Sequence, residues 1–175
     1  MPALRLFHGT NHQFDSFDIR HLGRCVRNPT TIFGFFFSDN ESDAAYWPLR
    51  EQERNPGAQY RARLLEVDVS VGNLKEISAA KFHWYLQHAR ASTIQRHRAQ
   101  WISDGFDGIA VTRPNGHRWV APFDVGAIRV VASRDVQSLD MPSVDTASQQ
   151  QSSVAADLSS NGSTASTSSR RRSRP

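Results

Sequence analysis

The stretch Leu4-Arg-Leu-Phe-His-Gly-Thr10 ends a short, mostly apolar run with a histidine, a glycine and a threonine. The apolar run predicts a first β-strand, so His8 should lie near the end of a rigid element. A second stretch, Gly34-Phe-Phe-Phe-Ser38, ends eight positions before Tyr46. Together the two stretches predict two strand-to-helix units that bring a histidine and a tyrosine to the ends of neighbouring elements.

The residues around the second stretch predict a buried strand and a capped helix. Residues 32–37 are almost all aromatic or β-branched, which favours a strand that is buried on both faces. Ser38 with Glu41 three residues later has the pattern of a capping box, so a helix should begin there. This helix carries Tyr46, and Pro48 should kink or end it.

The following part of the chain predicts more strands and helices. Residues 59–71 alternate in polarity with one slip in parity, which indicates a strand with a bulge. Residues 78–101 carry an apolar stripe at helical spacing and predict one or two helices. Three short strands follow at 108–112, 118–121 and 127–131, the first two joined by the turn Pro114-Asn-Gly116. This order predicts an α+β fold with few crossover helices instead of a doubly wound parallel sheet.

Composition and charge narrow the classes of function. A chain of 175 residues suffices for one domain with a core, and its formal net charge is +4. This mild positive balance suits ligands that carry phosphate. The single cysteine, Cys25, excludes an intrachain disulfide and a cysteine-based zinc site, and it fits a reducing compartment. The histidines share no metal-ligand spacing, so no metal is predicted, and the absence of Gly-x-Ser-x-Gly argues against a serine hydrolase.

The composition changes sharply near Ser138 and divides the chain into two parts. Residues 1–137 form the predicted folded domain. Residues 138–175 lack aromatics and are rich in Ser, Thr, Ala and Gln, so we expect a disordered tail. The tail ends in a cluster of Arg170, Arg171, Arg172 and Arg174. A nucleic-acid or targeting patch and a merely solubilising tail are both compatible with this arginine cluster.

Signals for membranes and secretion are missing from the sequence. No apolar run approaches the ~18 residues of a membrane span, so no membrane association is predicted. The N-terminus lacks the charged region, the apolar region and the cleavage site of a secretory signal peptide. We therefore expect a cytoplasmic protein, or one delivered into a host cell without a cleaved signal peptide.

The spacing of the motifs resembles that of ADP-ribosyltransferases of the diphtheria-toxin-like, poly(ADP-ribose)-polymerase-like family. In that family the first strand ends in His-Gly followed by Ser or Thr. The second reads Gly, apolar, aromatic, Phe, and the helix after it carries a tyrosine, as in Asp43-Ala-Ala-Tyr46 here. The resemblance covers most of residues 4–131 and extends to Leu64-Leu-Glu-Val-Asp-Val69 with Asn73-Leu74, Phe106-Asp-Gly-Ile109 and Phe123-Asp-Val-Gly-Ala-Ile128. It implies a fold of two short β-sheets flanked by helices, with NAD as co-substrate.

The resemblance also implies roles for individual residues in holding NAD. His8 would contact the adenosine ribose, Gly9 the carboxamide and Tyr46 the flat face of the nicotinamide. These residue types suit the roles, since glycine permits close backbone approach and an aromatic ring attracts the positively charged ring of the oxidised cofactor. Further cofactor-binding positions implied by the resemblance are Thr10, Arg24, Phe37 and Ser38.

The third signature residue of that family, a glutamate, is missing from this chain. Counting back from Phe123 to its expected position reaches Trp119, or Arg118 if a bulge at Pro122 shifts the count by one residue. Neither residue is acidic, and Asp107 in its Asp-Gly pair is predicted to be a turn residue instead. The catalytic candidates are therefore His8, Tyr46, Trp119 and Arg118.

The missing glutamate limits the activity that the resemblance implies. Loss of one preorganised electrostatic contact typically costs ~3 kcal/mol, which is a hundredfold or more in rate. Polymer elongation is therefore not expected, whereas transfer of a single unit is. The leading hypothesis is an NAD-dependent mono-ADP-ribosyltransferase that modifies a protein side chain, as bacterial toxins and effectors do. The alternatives are an NAD- or ADP-ribose-binding module without chemistry, and nucleic-acid binding with a steep salt dependence through the arginine cluster.

Overall fold

The computed structural model describes residues 3–23, 28–55 and 61–137. Arg24, Cys25 and the predicted tail, residues 138–175, lie outside this part of the chain, so the division at residue 137 stays a prediction. The strands are β1 (Leu4–Thr10), β2 (Phe37–Ser38), β3 (Arg63–Val69), β4 (Leu74–Ser78), β5 (Gly108–Thr112), β6 (Arg118–Pro122) and β7 (Ile128–Asp135). The helices are α1 (Glu41–Arg54), α2 (Ala79–His88) and α3 (Ala91–Ser103), with 3₁₀ turns at Ile19–His21, Pro29–Ile32 and Val125–Ala127.

The strands within these ranges form one mixed sheet, which confirms the α+β class. Their order is β4-β5-β6-β2-β1-β3-β7, and all neighbours are antiparallel except the parallel pair β4 and β5. The expected two short sheets appear as the two halves of this sheet. Strand β2 joins them, because Ser38 pairs with Phe7 of β1 on one side and with Trp119 of β6 on the other.

The prediction of a strand over residues 32–37 is wrong except at Phe37, where β2 begins. The segment begins in a 3₁₀ turn, and residues 33–36 have no regular structure. Their backbone carbonyls are taken by distant side chains instead of a neighbouring strand: Arg98 Nε donates to the Phe33 oxygen at 3.1 Å, and the His8 ring bonds the Phe36 oxygen at 2.8 Å. Buried backbone groups need partners, and these two side chains replace the ladder that a strand would require.

Helix α1 begins two residues later than the sequence predicts. Its N-cap is Asn40, whose side-chain oxygen accepts from the Asp43 N–H at 2.9 Å. Ser38 instead accepts from the Asn40 N–H at 3.2 Å and donates to the Asp43 carboxylate at 2.9 Å. Pro48 does not end the helix, which continues to Arg54. The capping pattern therefore located the helix correctly but assigned the cap to the wrong residue.

The predicted bulge lies on β7 instead of β3. The ladder between the two strands shifts register between Glu66 and Val67, and the residue without a partner is Val131. The parity slip in the sequence has another cause, because Leu64 and Leu65 are both buried on opposite faces of β3. Strand β4 was not predicted from the sequence, because its short, mostly polar stretch at the sheet edge lacks an alternating pattern.

Buried side chains form three clusters around the sheet. Under α2 and α3 the cluster consists of Phe33, Ile77, Phe82, Tyr85, Ile94, Ile109, Val111, Ala121 and Phe123. The cluster of β1, β3 and the Phe17 loop consists of Leu6, Phe17, Phe37, Leu65, Val67, Val69, Ala110 and Val120. A smaller cluster beneath α1 consists of Ala45, Leu49, Ala62, Leu64 and Val136. Within the described ranges, no helix is both long and apolar enough to cross a lipid bilayer.

Candidate functional site

A cavity of about 310 Å³ opens where β1, residues 33–36 and the start of α1 meet. Ligand pockets in proteins begin at about this size. Five of the residues predicted from the sequence line it together: His8, Gly9, Phe37, Ser38 and Trp119. Other lining residues are Phe7, His21, Leu22, Asn28, Thr30, Thr31, Gly34, Phe35, Phe36, Asp43, Ala44, Trp47 and Phe82. The wall thus combines seven Phe and Trp side chains with seven polar ones.

His8 is held in one tautomer at the cavity wall. Its Nδ1 lies 2.8 Å from the Phe36 carbonyl oxygen, which can only accept, so Nδ1 carries the proton. Burial lowers the pKa of His8 below its ordinary value, with the bond to Phe36 opposing this effect. The rings of Phe17 and Phe37 lie 5.2 and 5.4 Å from the imidazole. A neutral His8 therefore presents Nε2 as a hydrogen-bond acceptor, which suits a ligand hydroxyl.

Gly9 allows β1 to pack directly against α1. A Cβ at this position would lie 2.0 Å from the Ala44 carbonyl oxygen and 2.8 Å from Pro48 Cγ. Pro48 has no N–H, so the Ala44 carbonyl lacks the usual helical donor and remains open toward β1. Glycine is therefore required here by the packing that forms the cavity wall, independently of any ligand.

A carboxylate stands beside the residue that occupies the expected glutamate position. Trp119 Nε1 and Ser38 Oγ both donate to Asp43 Oδ2, the latter at 2.9 Å, and Arg113 Nη1 lies 3.2 Å from Asp43 Oδ1. The Arg113 guanidinium also lies over the Trp119 ring at 4.3 Å. The side chain of Asp43 is only 12% exposed. These donors hold an anionic group in a fixed orientation at the cavity.

The aromatic residue of α1 at the cavity is Trp47 instead of Tyr46. Tyr46 is not among the lining residues; its ring lies 5.3 Å from the Trp47 ring and 5.9 Å from the Arg50 guanidinium. Trp47 lines the cavity and is 61% exposed. Sequence reasoning missed both Asp43 and Trp47 as site residues. Their spacing of four, which places two side chains on one helix face, was the available signal.

The remaining catalytic candidate, Arg118, does not line the cavity. It precedes Trp119 on β6, and successive strand residues point to opposite faces. Its guanidinium pairs with Glu76 on β4, and its backbone N–H donates to Asp39 at 3.0 Å. Arg118 thus contributes an exposed ion pair between strands, and the structure separates it from the other candidates.

Asp107 lies directly before β5 and outside a turn, so the prediction of a turn at Asp107-Gly108 is wrong. Its carboxylate accepts from the backbone N–H groups of Asn73 and Gly72 at 2.9 and 2.8 Å. These bonds lower the pKa of Asp107 below its ordinary value. The carboxylate therefore fixes the turn before β4 and is not available for chemistry.

A second cavity of about 730 Å³ adjoins the first at His8, His21 and Phe35. Thr10 lies here instead of in the first cavity, and its Oγ1 accepts from the His12 N–H at 3.1 Å. Further lining residues are Gln13, Phe14, Ser16, Phe17 and Asp18. Hydrogen bonds from Arg20 lower the pKa of Asp18 to about 2. His8 thus forms part of the wall of both cavities.

Arg24, the predicted phosphate contact, lies outside the described residues. Within the ranges that the structure describes, no three His, Cys, Asp or Glu side chains are grouped so that they could hold a metal ion.

Comparison with known proteins gives a likeness in fold but none in sequence. No family model matches the chain, and no curated protein matches it in sequence. The fold is similar to that of a chain in the crystal structure of the M. tuberculosis MbcT–MbcA toxin–antitoxin complex, with 12% identity and a TM-score of 0.49. The match covers 77% of this chain and 85% of that chain.

Proposed function

We propose that this protein is an NAD-dependent mono-ADP-ribosyltransferase that modifies a protein side chain, in the manner of a bacterial toxin or effector. The observation that carries the proposal is the position of His8. His8 lines a cavity together with Gly9, Ser38 and Trp119, and the bond from its Nδ1 to Phe36 leaves Nε2 as the acceptor nitrogen of the ring. The motif resemblance assigns His8, Gly9 and Ser38 to NAD and Trp119 to the expected glutamate position, and all four residues line this cavity.

The chemistry requires cleavage of the bond between nicotinamide and ribose. The bonding electron pair passes to the pyridinium nitrogen, neutral nicotinamide leaves, and positive charge develops on the sugar. The acceptor side chain then bonds to the anomeric carbon and loses its proton to solvent. His8 Nε2, as an acceptor, would fix a ribose hydroxyl, and the aromatic walls would keep water from competing with the acceptor.

The residue at the glutamate position limits the rate. Trp119 cannot accept a hydrogen bond from a ribose hydroxyl, and its indole N–H donates to Asp43. The same observation favours a second candidate function, a module that binds NAD or ADP-ribose without breaking a bond. The two functions differ in whether nicotinamide is released.

The test is nicotinamide release from NAD by the full-length protein, with and without a eukaryotic cell extract as a source of acceptors. We expect release that depends on the extract and that falls at least a hundredfold in His8→Ala. The matched control is His83→Ala, since His83 is exposed on α2 and does not line the cavity. Release without extract would indicate NAD hydrolysis instead. Thermal stabilisation by NAD without release would support the binding module. The absence of both release and stabilisation would refute both functions.

A further inference from the structure

We propose that Asp43 and Trp47 together bind the positively charged pyridinium ring of the cofactor, so that the site selects the oxidised over the reduced form. This inference rests on the proposed function for the identity of the ligand. It assigns the aromatic face to Trp47, and it adds a carboxylate that the motif resemblance does not supply.

The two residues lie one helical turn apart on the same face of α1. Residues four apart on a helix are neighbours, with Cβ atoms about 5–6 Å apart. Both line the 310 Å³ cavity. Helix α1 is fixed against the sheet by Gly9 at Ala44 and by the buried Leu49, so the position of this face is determined by packing. The helix therefore places the carboxylate and the indole beside the same cavity.

Trp47 has the exposure of a binding residue and not of a core residue. It is 61% exposed, the largest fraction among the exposed large apolar side chains in the described part of the chain. The centroid of its ring lies 5.3 Å from that of the Tyr46 ring. An indole presents the most negative face of the aromatic side chains and therefore attracts a cation that lies over it. A flat, delocalised organic cation can stack here without losing a strongly held hydration shell.

The lining residues that the structure describes bring a carboxylate to the cavity. Among the lining residues that the structure describes, Asp43 is the one with a formal charge at neutral pH, apart from histidines. Arg113 bonds Asp43 Oδ1 but does not itself line the cavity. Ser38 and Trp119 share Oδ2, so Oδ1 retains acceptor capacity. Because Arg113 already offsets part of this charge, we expect a preference for a cationic ring of about tenfold.

The experiment separates charge from shape with two small probes. The full-length protein is titrated calorimetrically with 1-methylnicotinamide, a cation, and with nicotinamide, its neutral counterpart. We expect the cation to bind about tenfold more tightly. Asp43→Asn keeps the side-chain shape and one accepting oxygen, and it should remove the preference while both probes still bind. Trp47→Ala should weaken both, and Trp47→Phe should restore most of the loss.

The control is Trp84→Phe, which should leave both affinities unchanged. Trp84 is 42% exposed on α2, near Lys81, and does not line the cavity. Thermal melts verify folding of each variant, and because Trp47 is exposed, its variants remain informative even if Asp43→Asn is unstable.

The outcomes distinguish this inference from the proposed function. Equal affinities for the two probes, or a preference that survives Asp43→Asn, would overturn the inference, while nicotinamide release from NAD would still support the transferase. A clear preference for the cation without any release from NAD would support the pyridinium site and refute the enzyme. Absence of binding by either probe, with NAD turnover intact in Trp47→Ala, would also refute the inference.

Discussion

Two aromatic clusters of this molecule each contain a histidine, and they differ in whether that histidine lies at a cavity. The His97 cluster consists of His97, Tyr85, Trp101 and Phe33. The His8 cluster consists of His8, Phe14, Phe17, Phe35 and Phe37. In the first, the ring nitrogen bonds the Tyr85 hydroxyl at 2.6 Å, and neither cavity described above adjoins it. In the second, the histidine bonds a backbone carbonyl and lies against both cavities.

The comparison shows that aromatic content does not by itself mark a site. Burial lowers the pKa of both histidines, so the shift does not distinguish them either. The difference lies in the partner: His97 bonds the hydroxyl of the buried Tyr85, whereas His8 bonds the backbone carbonyl of Phe36 and lines both cavities. One cluster stabilises the fold, and the other is available to a ligand.

The largest expected effect tests this difference directly. We predict that His8→Ala lowers nicotinamide release by about 10²- to 10³-fold with a modest loss of stability, because it removes a preorganised contact. His97→Ala should do the reverse: it leaves the rate nearly unchanged and lowers the free energy of unfolding by about 1–3 kcal/mol, since it strands the buried Tyr85 hydroxyl. Release assays on both variants measure the rate, and urea denaturation measures the free energy of unfolding. Similar losses of rate in the two variants would remove the distinction between the clusters.

The next effect concerns Gly9, where β1 packs against α1 next to His8. We expect Gly9→Ala to lower the free energy of unfolding by about 1–3 kcal/mol, because its Cβ would overlap the Ala44 carbonyl oxygen 2.0 Å away. Gly126→Ala, whose nearest contacts are side-chain oxygens of Asp124 at 3.3 Å, should change it by less than about 0.5 kcal/mol. Urea denaturation of both variants provides the measurement, and a neutral Gly9→Ala would mean that β1 and α1 can separate without cost.

A comparable or smaller effect concerns residues 33–37, which contribute aromatic rings to both clusters. Arg98 donates to the carbonyls of Phe33 and Phe123, at 3.1 and 2.5 Å. Arg98→Met should cost about 1–3 kcal/mol, because two buried carbonyls lose their donors, and it should also loosen residues 33–36 at the cavity. Arg96→Met, an exposed position on the same helix, is the control. Hydrogen exchange at residues 33–37 would show whether the loss is local; unchanged exchange would contradict the role of Arg98 in this segment.

The smallest effect is a dependence of stability on pH. The folded-state pKa of His8 is lowered, so below the unfolded value of about 6.5 the unfolded chain binds more protons. The contribution of neutral His8 is therefore complete above pH 6.5 and declines as pH falls toward the folded pKa. His8→Phe should flatten the difference in stability between pH 7.5 and pH 5. His97 contributes with the same sign, so some dependence should remain, and an unchanged slope in His8→Phe would contradict the burial of a neutral imidazole.

Much of the architecture could be predicted from local pattern. The α+β class, β1 with His8 and Gly9 at its end, and the strand over 108–112 follow from periodicity and turn residues. The turn ending at Gly116, with φ of 84°, follows from its glycine. The absence of an acidic residue at Arg118 and Trp119, where the motif resemblance implies a glutamate, is also a property of the sequence alone. These features depend on neighbours within one or two turns of chain, which is the range that composition and spacing report.

The tertiary structure decided which side chains meet. Asp43 and Trp119 are 76 residues apart and meet because β2 pairs with β6, which places Ser38 opposite Trp119. Trp47 faces the cavity in place of Tyr46 because the packing of Gly9 against α1 sets the rotation of that helix. Local pattern cannot contain these contacts, since the free energy that selects them comes from burying whole faces of elements against each other and not from the intrinsic preferences of any single segment.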